Sequence, residues 1–132
     1  MNYLSDTHIL LWILFSPKKI SKPIRNILLD PDATKFISLI TFWEISLKFS
    51  LGKIDLQGVS PDDLPALAKK TGFELLNMDS ETVASFYRLP KLAHKDPFDR
   101  LLAWQAIKRD CVLLTKDKSF VDYKEYGLKV VW

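Results

Sequence analysis

Residues 94–102 read His-Lys-Asp-Pro-Phe-Asp-Arg-Leu-Leu and contain two aspartates three positions apart, shortly before an apolar run. Proline is favoured at the first position of a helix, so this segment predicts a helix that begins near Pro97 and is capped by Asp96. Asp99 then lies in the first turn, beside free N–H groups and the positive end of the helix dipole. The two acids either cap the helix or, together with partners from elsewhere in the chain, form a cation site.

The composition indicates one soluble globular domain. The 132 residues are enough for a single core and too few for two comfortable ones. Apolar residues make up 48% of the chain and charged residues 27%, which is an ordinary globular balance. The net charge of +3 permits a nucleic-acid partner but does not require one.

The single cysteine and the N-terminal region indicate a reducing compartment. Cys111 has no partner for an internal disulfide, and neither a zinc site nor a cysteine nucleophile has the companions it needs. The apolar run in residues 9–15 is too short to span a bilayer, and no basic segment precedes it. We therefore expect a cytoplasmic protein without a signal peptide or membrane segment.

Short apolar strands alternate with helices along the chain. Strands are predicted at residues 2–5, 36–37, 73–76, 112–114 and 128–131, and helices begin near residues 9, 21, 39, 60, 79 and 97. This alternation predicts a three-layer α/β/α domain, residues 1–132, with a mainly parallel central sheet. The four glycines are scattered among turns, so the chain has no glycine-rich phosphate loop.

Two acids directly follow predicted strands. Asp6 comes after the first strand and Asp117 after residues 112–114. Because the carboxyl ends of neighbouring parallel strands meet at one edge of a sheet, these side chains converge if their strands are neighbours, and Asp99 can face them. For Asp6, a plain helix cap is the alternative interpretation.

Glu44 lies in a helix that is apolar on nearly every side. An ionised acid among Ile40, Trp43 and Leu47 is costly unless a cation or hydrogen-bond donors meet it. Lys48, one turn further on, supplies a local ion pair, and a metal ion is the alternative partner. The apolar surface predicts that one face of this helix lies on the core and the other on a second helix or a second subunit.

Several carboxylates gathered at one place repel each other, and a divalent cation removes that penalty. All-oxygen ligands favour Mg²⁺ or Mn²⁺ over zinc. Such an ion orients and deprotonates a water molecule and stabilises charge on a phosphodiester. If the acids converge, the sequence therefore predicts nuclease chemistry.

Residues 4–8, 43–53, 94–102 and 114–117 together resemble the PIN-domain ribonucleases, specifically the VapC-type toxins of toxin–antitoxin pairs. The resemblance runs from the first strand to the last. It implies that Asp6, Glu44 and Asp99 are the core metal-binding acids, and that Asp117 is a fourth acid acting through water or a second ion.

The resemblance also implies supporting roles and partners. Asp96 would orient the helix start or join the acidic pocket, and the hydroxyls of Thr7 and Thr115 would bind metal-bound water or the acids. Lys48 and Arg100 would contact phosphate or neutralise the pocket. Endonucleolytic RNA cleavage with Mg²⁺ or Mn²⁺, a homodimer, and a cognate antitoxin that puts a basic side chain into the acidic site are implied as well.

Two other functions compete with this one. A haloacid-dehalogenase-like phosphotransferase would use Asp6 as nucleophile with Thr41 or Lys116 as helpers, but His8 occupies the position where those enzymes commonly have a second acid. A non-catalytic interaction module would use the acids only as caps and ion pairs. Such a module predicts no stabilisation by metal ions.

Overall fold

The computed structural model describes residues 1–92 and 95–132. Ala93 and His94, the latter being the first residue of the 94–102 segment, lie outside the described residues. The strands are β1 (Asn2–Ser5), β2 (Thr34–Ser38), β3 (Glu74–Leu76), β4 (Val112–Leu114) and β5 (Lys129–Val131). The α-helices are α1 (Thr7–Phe15), α2 (Lys22–Leu29), α3 (Leu39–Ser50), α4 (Leu64–Lys70), α5 (Ser80–Ala84) and α6 (Pro97–Lys108).

The strands form one sheet in the order β3-β2-β1-β4-β5, and every neighbouring pair is parallel. This confirms the predicted sheet. In the register, Ser5 of β1 pairs with Ile37 of β2 and with Leu114 of β4. The carboxyl ends of the three central strands therefore lie side by side at one edge.

Alternate residues of the strands are buried on opposite faces, which produces the three layers. Leu4 and Leu113 pack with side chains of α6 and of the 3₁₀ segment Lys118–Tyr126. Ile37 packs with side chains of α1, α3 and α4, whereas Leu114 packs with those of α1 and α2. Helices consequently cover both faces of the sheet.

The predicted order of elements is confirmed, but some boundaries differ. The helix expected from residue 60 begins as a 3₁₀ turn at Pro61–Asp63, because Pro65 has no N–H to donate to the carbonyl four residues earlier. Phe73 was predicted to belong to β3 and does not. Its N–H donates to the Ala68 carbonyl at 3.1 Å and so closes α4 instead of joining the sheet.

Two helices begin at the carboxyl edge, directly after neighbouring strands. Asp6 separates β1 from α1, and Ser38 ends β2 and caps α3 by accepting from the Ile40 N–H at 3.2 Å. These starts place the first turns of α1 and α3 next to each other. Within residues 1–92 and 95–132, no helix has the length and apolar character needed to cross a membrane.

Because β4 lies inside the sheet, truncating its buried Leu113 side chain should greatly reduce the stability of the protein. Leu113→Ala removes a side chain with no solvent exposure. We expect this substitution to lower the free energy of unfolding by about 3–5 kcal/mol, because the shorter side chain leaves a cavity between sheet and helix. Urea denaturation followed by circular dichroism measures this loss. As a control, Leu29→Ala at an exposed helix end should change stability by no more than about 0.5 kcal/mol.

Candidate active site

Asp6 is at once a helix cap and a member of a buried polar cluster. Its Oδ1 accepts from the Ile9 N–H at 2.9 Å, and its Oδ2 accepts from the Thr115 hydroxyl at 2.5 Å. The Asp6 N–H donates to the Leu114 carbonyl at 3.0 Å, which extends the pairing of β1 and β4 by one bond. The carboxylate is 5% exposed. Asp6 therefore caps α1, as one interpretation of the sequence predicted, and also lies buried where β1 and β4 end.

The charge of Asp6 is poorly compensated. Burial raises the pKa of this carboxyl above its ordinary value, although the hydrogen bonds from Thr115 and Ile9 and the nearby imidazole of His8 oppose the shift. The negative charge of Asp117 raises the pKa further. An ionised Asp6 is thus a group that an additional cation would stabilise.

Thr115 connects Asp6 to Asp117. Its hydroxyl donates to Asp6 and accepts from the Asp117 N–H at 3.0 Å. Asp117 is exposed and caps the 3₁₀ segment Lys118–Tyr126, where its Oδ1 accepts from the Ser119 N–H at 3.0 Å. The structure therefore brings Asp6, Thr115 and Asp117 together, with Asp117 on the solvent side.

A second cluster forms around Glu44, which is 4% exposed. Its Oε1 accepts from the Thr7 hydroxyl at 2.6 Å, and Thr7 also lies 3.4 Å from the Thr41 hydroxyl. Its Oε2 forms an ion pair with Lys48, so the local pair that was one of the two alternatives for Glu44 is present. Because Asp6 and Thr7 are consecutive, both clusters share the start of α1.

Lys48 is the cation of this second cluster. Burial lowers its pKa, but the hydrogen bond and charge of Glu44, together with the charges of Asp96 and Asp99, raise the pKa above its ordinary value overall. The ammonium group therefore balances acids from both α3 and α6. The edge-to-face contact of Trp43 with Phe98, ring centroids 5.2 Å apart, holds these helices together next to the acids.

Asp96 caps α6 as predicted, since its Oδ1 accepts from the Phe98 N–H at 2.8 Å. Asp99 lies in the first turn of that helix and is half-buried. Both carboxylates are near enough to Lys48 to act on it electrostatically, which places the start of α6 beside the Glu44 cluster.

Arg100 makes packing contacts. Its guanidinium lies over the Phe86 ring, 4.8 Å from the centroid, and donates to the Leu89 carbonyl at 3.3 Å. These contacts favour a role in holding α6 against the 3₁₀ turn Ser85–Arg88 over contact with phosphate. In the described part of the chain, no three His, Cys, Asp or Glu side chains form a group that could hold a metal ion.

Two clefts open onto the clusters, and His8 lines both. The first, of about 250 Å³, is lined by Asp6, His8, Trp12, Lys116 and Asp117. The second, of about 380 Å³, includes Thr7, His8, Glu44, Lys48 and Lys53 in its lining. A site role for Trp12 was not among the predictions made from the sequence. The four-residue spacing of His8 and Trp12 on α1, which puts both on one helix face, was the available signal.

Solved structures with the same fold include toxin–antitoxin proteins. The chain is 19% identical to VapBC2 from Rickettsia felis, covering 99% of this chain and 98% of that one with a TM-score of 0.68. FitAcB from Neisseria gonorrhoeae is 19% identical with a TM-score of 0.67, covering 100% and 97%. A toxin–antitoxin complex from Klebsiella pneumoniae is 19% identical with a TM-score of 0.58, covering 98% and 96%. These likenesses concern the fold alone.

A comparison with curated proteins by sequence found no match. The model of the PIN domain family, in contrast, matches residues 3–126, from β1 through the 3₁₀ segment that follows β4. The match includes Asp6, Glu44, Asp99 and Asp117. The chain therefore belongs to the PIN domain family.

Proposed function

We propose that this protein is a metal-dependent endoribonuclease that acts as the toxin of a type II toxin–antitoxin pair. One observation carries the proposal. Asp6 and Thr7 are consecutive at the start of α1, and they bind Thr115 and Glu44 respectively, so two buried acids share one helix N-terminus at the carboxyl edge of a PIN-domain sheet. That edge is where parallel α/β sheets bind ligands.

The proposed ligands carry the oxygen donors that a hard divalent cation prefers, and binding the ion would require these acids to move closer together than they lie in the described part of the chain. The proposed ligands are the carboxylates of Asp6, Glu44, Asp99 and Asp117, and all-oxygen ligands suit Mg²⁺ or Mn²⁺. The unfavourable burial of ionised Asp6 is the electrostatic cost that such an ion would remove. When bound, the metal lowers the pKa of a water molecule and neutralises charge on the phosphodiester.

The remaining side chains position these acids. The Thr115 hydroxyl fixes the orientation of Asp6 by donating to Oδ2, and the Thr7 hydroxyl does the same for Glu44 at Oε1. Each carboxylate oxygen retains a further lone pair for a ligand. Lys48 supplies positive charge to Glu44, Asp96 and Asp99, and its ammonium group would be available to contact phosphate if a divalent cation were held by Glu44.

RNA is the proposed substrate because of the resemblance to VapC-type ribonucleases. Exposed lysines beside the two clefts support it: Lys53 lines one cleft, and Lys116 lines the other. A positive rim draws the phosphate backbone towards the acids, whose own charge would otherwise repel it.

A protein partner is supported by the uncovered side of α3. Trp43 is 61% exposed, and Leu39, Leu47, Phe49 and Leu51 are exposed on the same helix or directly after it. Large exposed apolar patches are typical of interaction sites. We propose that the second subunit of a homodimer packs on this side. Because one fold relative is a toxin–antitoxin complex, we also propose that an antitoxin binds this protein and puts a basic side chain into the acidic clefts.

Removing a proposed ligand should abolish cleavage. Asp6→Asn and Asp99→Asn, tested separately, should each reduce the rate of RNA cleavage by on the order of 100-fold or more, because the metal loses a charged ligand. Cleavage of a labelled RNA on denaturing gels measures the rate. Asp32→Asn, an exposed acid in a turn, is the matched control and should retain full activity. Undiminished cleavage by either ligand variant would contradict the assignment.

Metal binding should stabilise the folded protein. Mn²⁺ at about 100 times its dissociation constant should add ~2.7 kcal/mol of stability, because the ion binds the folded state alone, and EDTA should reverse the gain. Thermal melts measure the shift. Glu44→Gln should reduce it, whereas Glu125→Gln, at an exposed position, should not. An unchanged midpoint in Mn²⁺ would favour the interaction module over the nuclease.

Without metal, the ionised carboxylate of Asp6 should lower the stability of the folded protein at neutral pH. The pKa of Asp6 is higher in the folded protein than its ordinary value of 3.8. The contribution of Asp6 to the free energy of unfolding is therefore fully present below pH 3.8 and is lost as the pH rises through the folded-state pKa. Asp6→Asn does not titrate and preserves the cap. In EDTA at pH 7 we expect its midpoint to be a few degrees above that of the wild type, with the difference disappearing below pH 3.8. Melts across this pH range test the sign, and a variant less stable at pH 7 would refute it.

A further inference from the structure

Two tryptophans from opposite ends of the sequence meet beside the acids. Trp12 of α1 and Trp132, which follows β5, have ring centroids 5.8 Å apart in an edge-to-face arrangement. The ammonium of Lys116 lies 5.8 Å from the Trp12 centroid and 5.7 Å from the Trp132 centroid. We refer to Trp12 and Trp132 as the tryptophan platform.

The platform adjoins the proposed catalytic cluster. Trp12 and Lys116 line the cleft of Asp6 and Asp117. Trp132 lines a neighbouring apolar cleft of about 470 Å³, to which Thr115 and Lys116 also contribute. Thr115 and Lys116 therefore connect the acids to the apolar cleft, whose volume falls within the range of small-ligand sites.

The chemistry of the platform matches that of a nucleotide. Trp132 is 36% exposed, so part of its ring surface remains open. Lys19 lies 5.8 Å from the Trp12 centroid on an exposed turn, and Lys118 lines the apolar cleft. Single-stranded nucleic acids are bound by this combination, in which aromatic rings stack on bases and cations meet the backbone phosphates.

We propose that the tryptophan platform is a stacking subsite for one unpaired nucleobase of single-stranded RNA, beside the phosphate held at the acids. The identity of the polymer rests on the proposed function. A base must leave its neighbours to stack on protein, so the subsite selects single-stranded segments over duplex. Lys116 moves from the ring faces to the adjacent phosphate when the base enters.

Binding in EDTA tests the subsite without cleavage. Fluorescence anisotropy with a labelled single-stranded octaribonucleotide measures the dissociation constant. Trp132→Leu keeps an apolar side chain but removes the ring, and we expect roughly 5- to 150-fold weaker binding, the equivalent of ~1–3 kcal/mol. Trp132→Phe keeps a ring and should bind close to the wild-type value. Melts of both variants establish that they are folded.

Two controls separate stacking from a packing role. Tyr87→Leu removes an aromatic ring that is 78% exposed and also pairs with a cation, Arg88, but lines none of the three clefts described above. It should leave binding unchanged. The second control is a set of oligonucleotides, each abasic at one position. At one position, removing the base should weaken binding to the wild-type protein. The same abasic RNA and the intact RNA should bind Trp132→Leu with equal affinity.

The outcomes distinguish this inference from the proposed function. Two results would refute the subsite even if the wild type cleaves RNA. In the first, Trp132→Leu weakens binding of the intact RNA and of every abasic RNA by the same factor. In the second, Trp132→Leu binds RNA as tightly as the wild type does. If the wild type cleaves no RNA but shows the abasic-dependent loss, the subsite holds and the nuclease assignment fails. Tighter binding to a duplex than to the single strand would also overturn the subsite.

Discussion

The hydrogen bond from the Thr115 hydroxyl to the Asp6 carboxylate joins residues 109 positions apart in the sequence. It lies where β1 and β4 end side by side, and the backbone bond from the Asp6 N–H to Leu114 supports it. Two donors, the Thr115 hydroxyl and the Ile9 N–H, offset part of the cost of burying this carboxylate. Without this contact, Asp6 would be a buried charge with one backbone partner, and Asp117 would lose its connection to the sheet edge.

Charge balance explains the rest of the site. Lys48 balances Glu44 through their ion pair, and the charges of Glu44, Asp96 and Asp99 together raise the pKa of its ammonium group. The burial of the charged Asp6 carboxylate destabilises the folded state. Functional sites commonly carry such a cost, because the groups that must bind a charged ligand cannot also be fully satisfied without it.

Much of the architecture was predictable from local patterns. The alternation of strands and helices indicated a parallel α/β sheet, and Asp96 with Pro97 marked the start of α6. Phe73 was misplaced because its N–H bonds to the Ala68 carbonyl five residues earlier and so closes the end of α4 at Gly72, a local capping bond that apolar periodicity does not reveal. For Asp6 the sequence left open a helix cap or a cation site shared with distant acids, and for Glu44 a pair with Lys48 or a metal ion. The structure contains the cap at Asp6 and the pair of Glu44 with Lys48, and it adds hydrogen bonds from Thr115 to Asp6 and from Thr7 to Glu44.

By itself, the sequence determined the element types, their order and the placement of acids after strands, because capping and periodicity act within a few residues of each other. Only the tertiary structure decided which distant groups meet: Thr115 with Asp6, Thr7 with Glu44, and Trp12 with Trp132. The physical reason is that these contacts depend on strand order and register. β1 lies between β2 and β4, and no segment read alone carries that information.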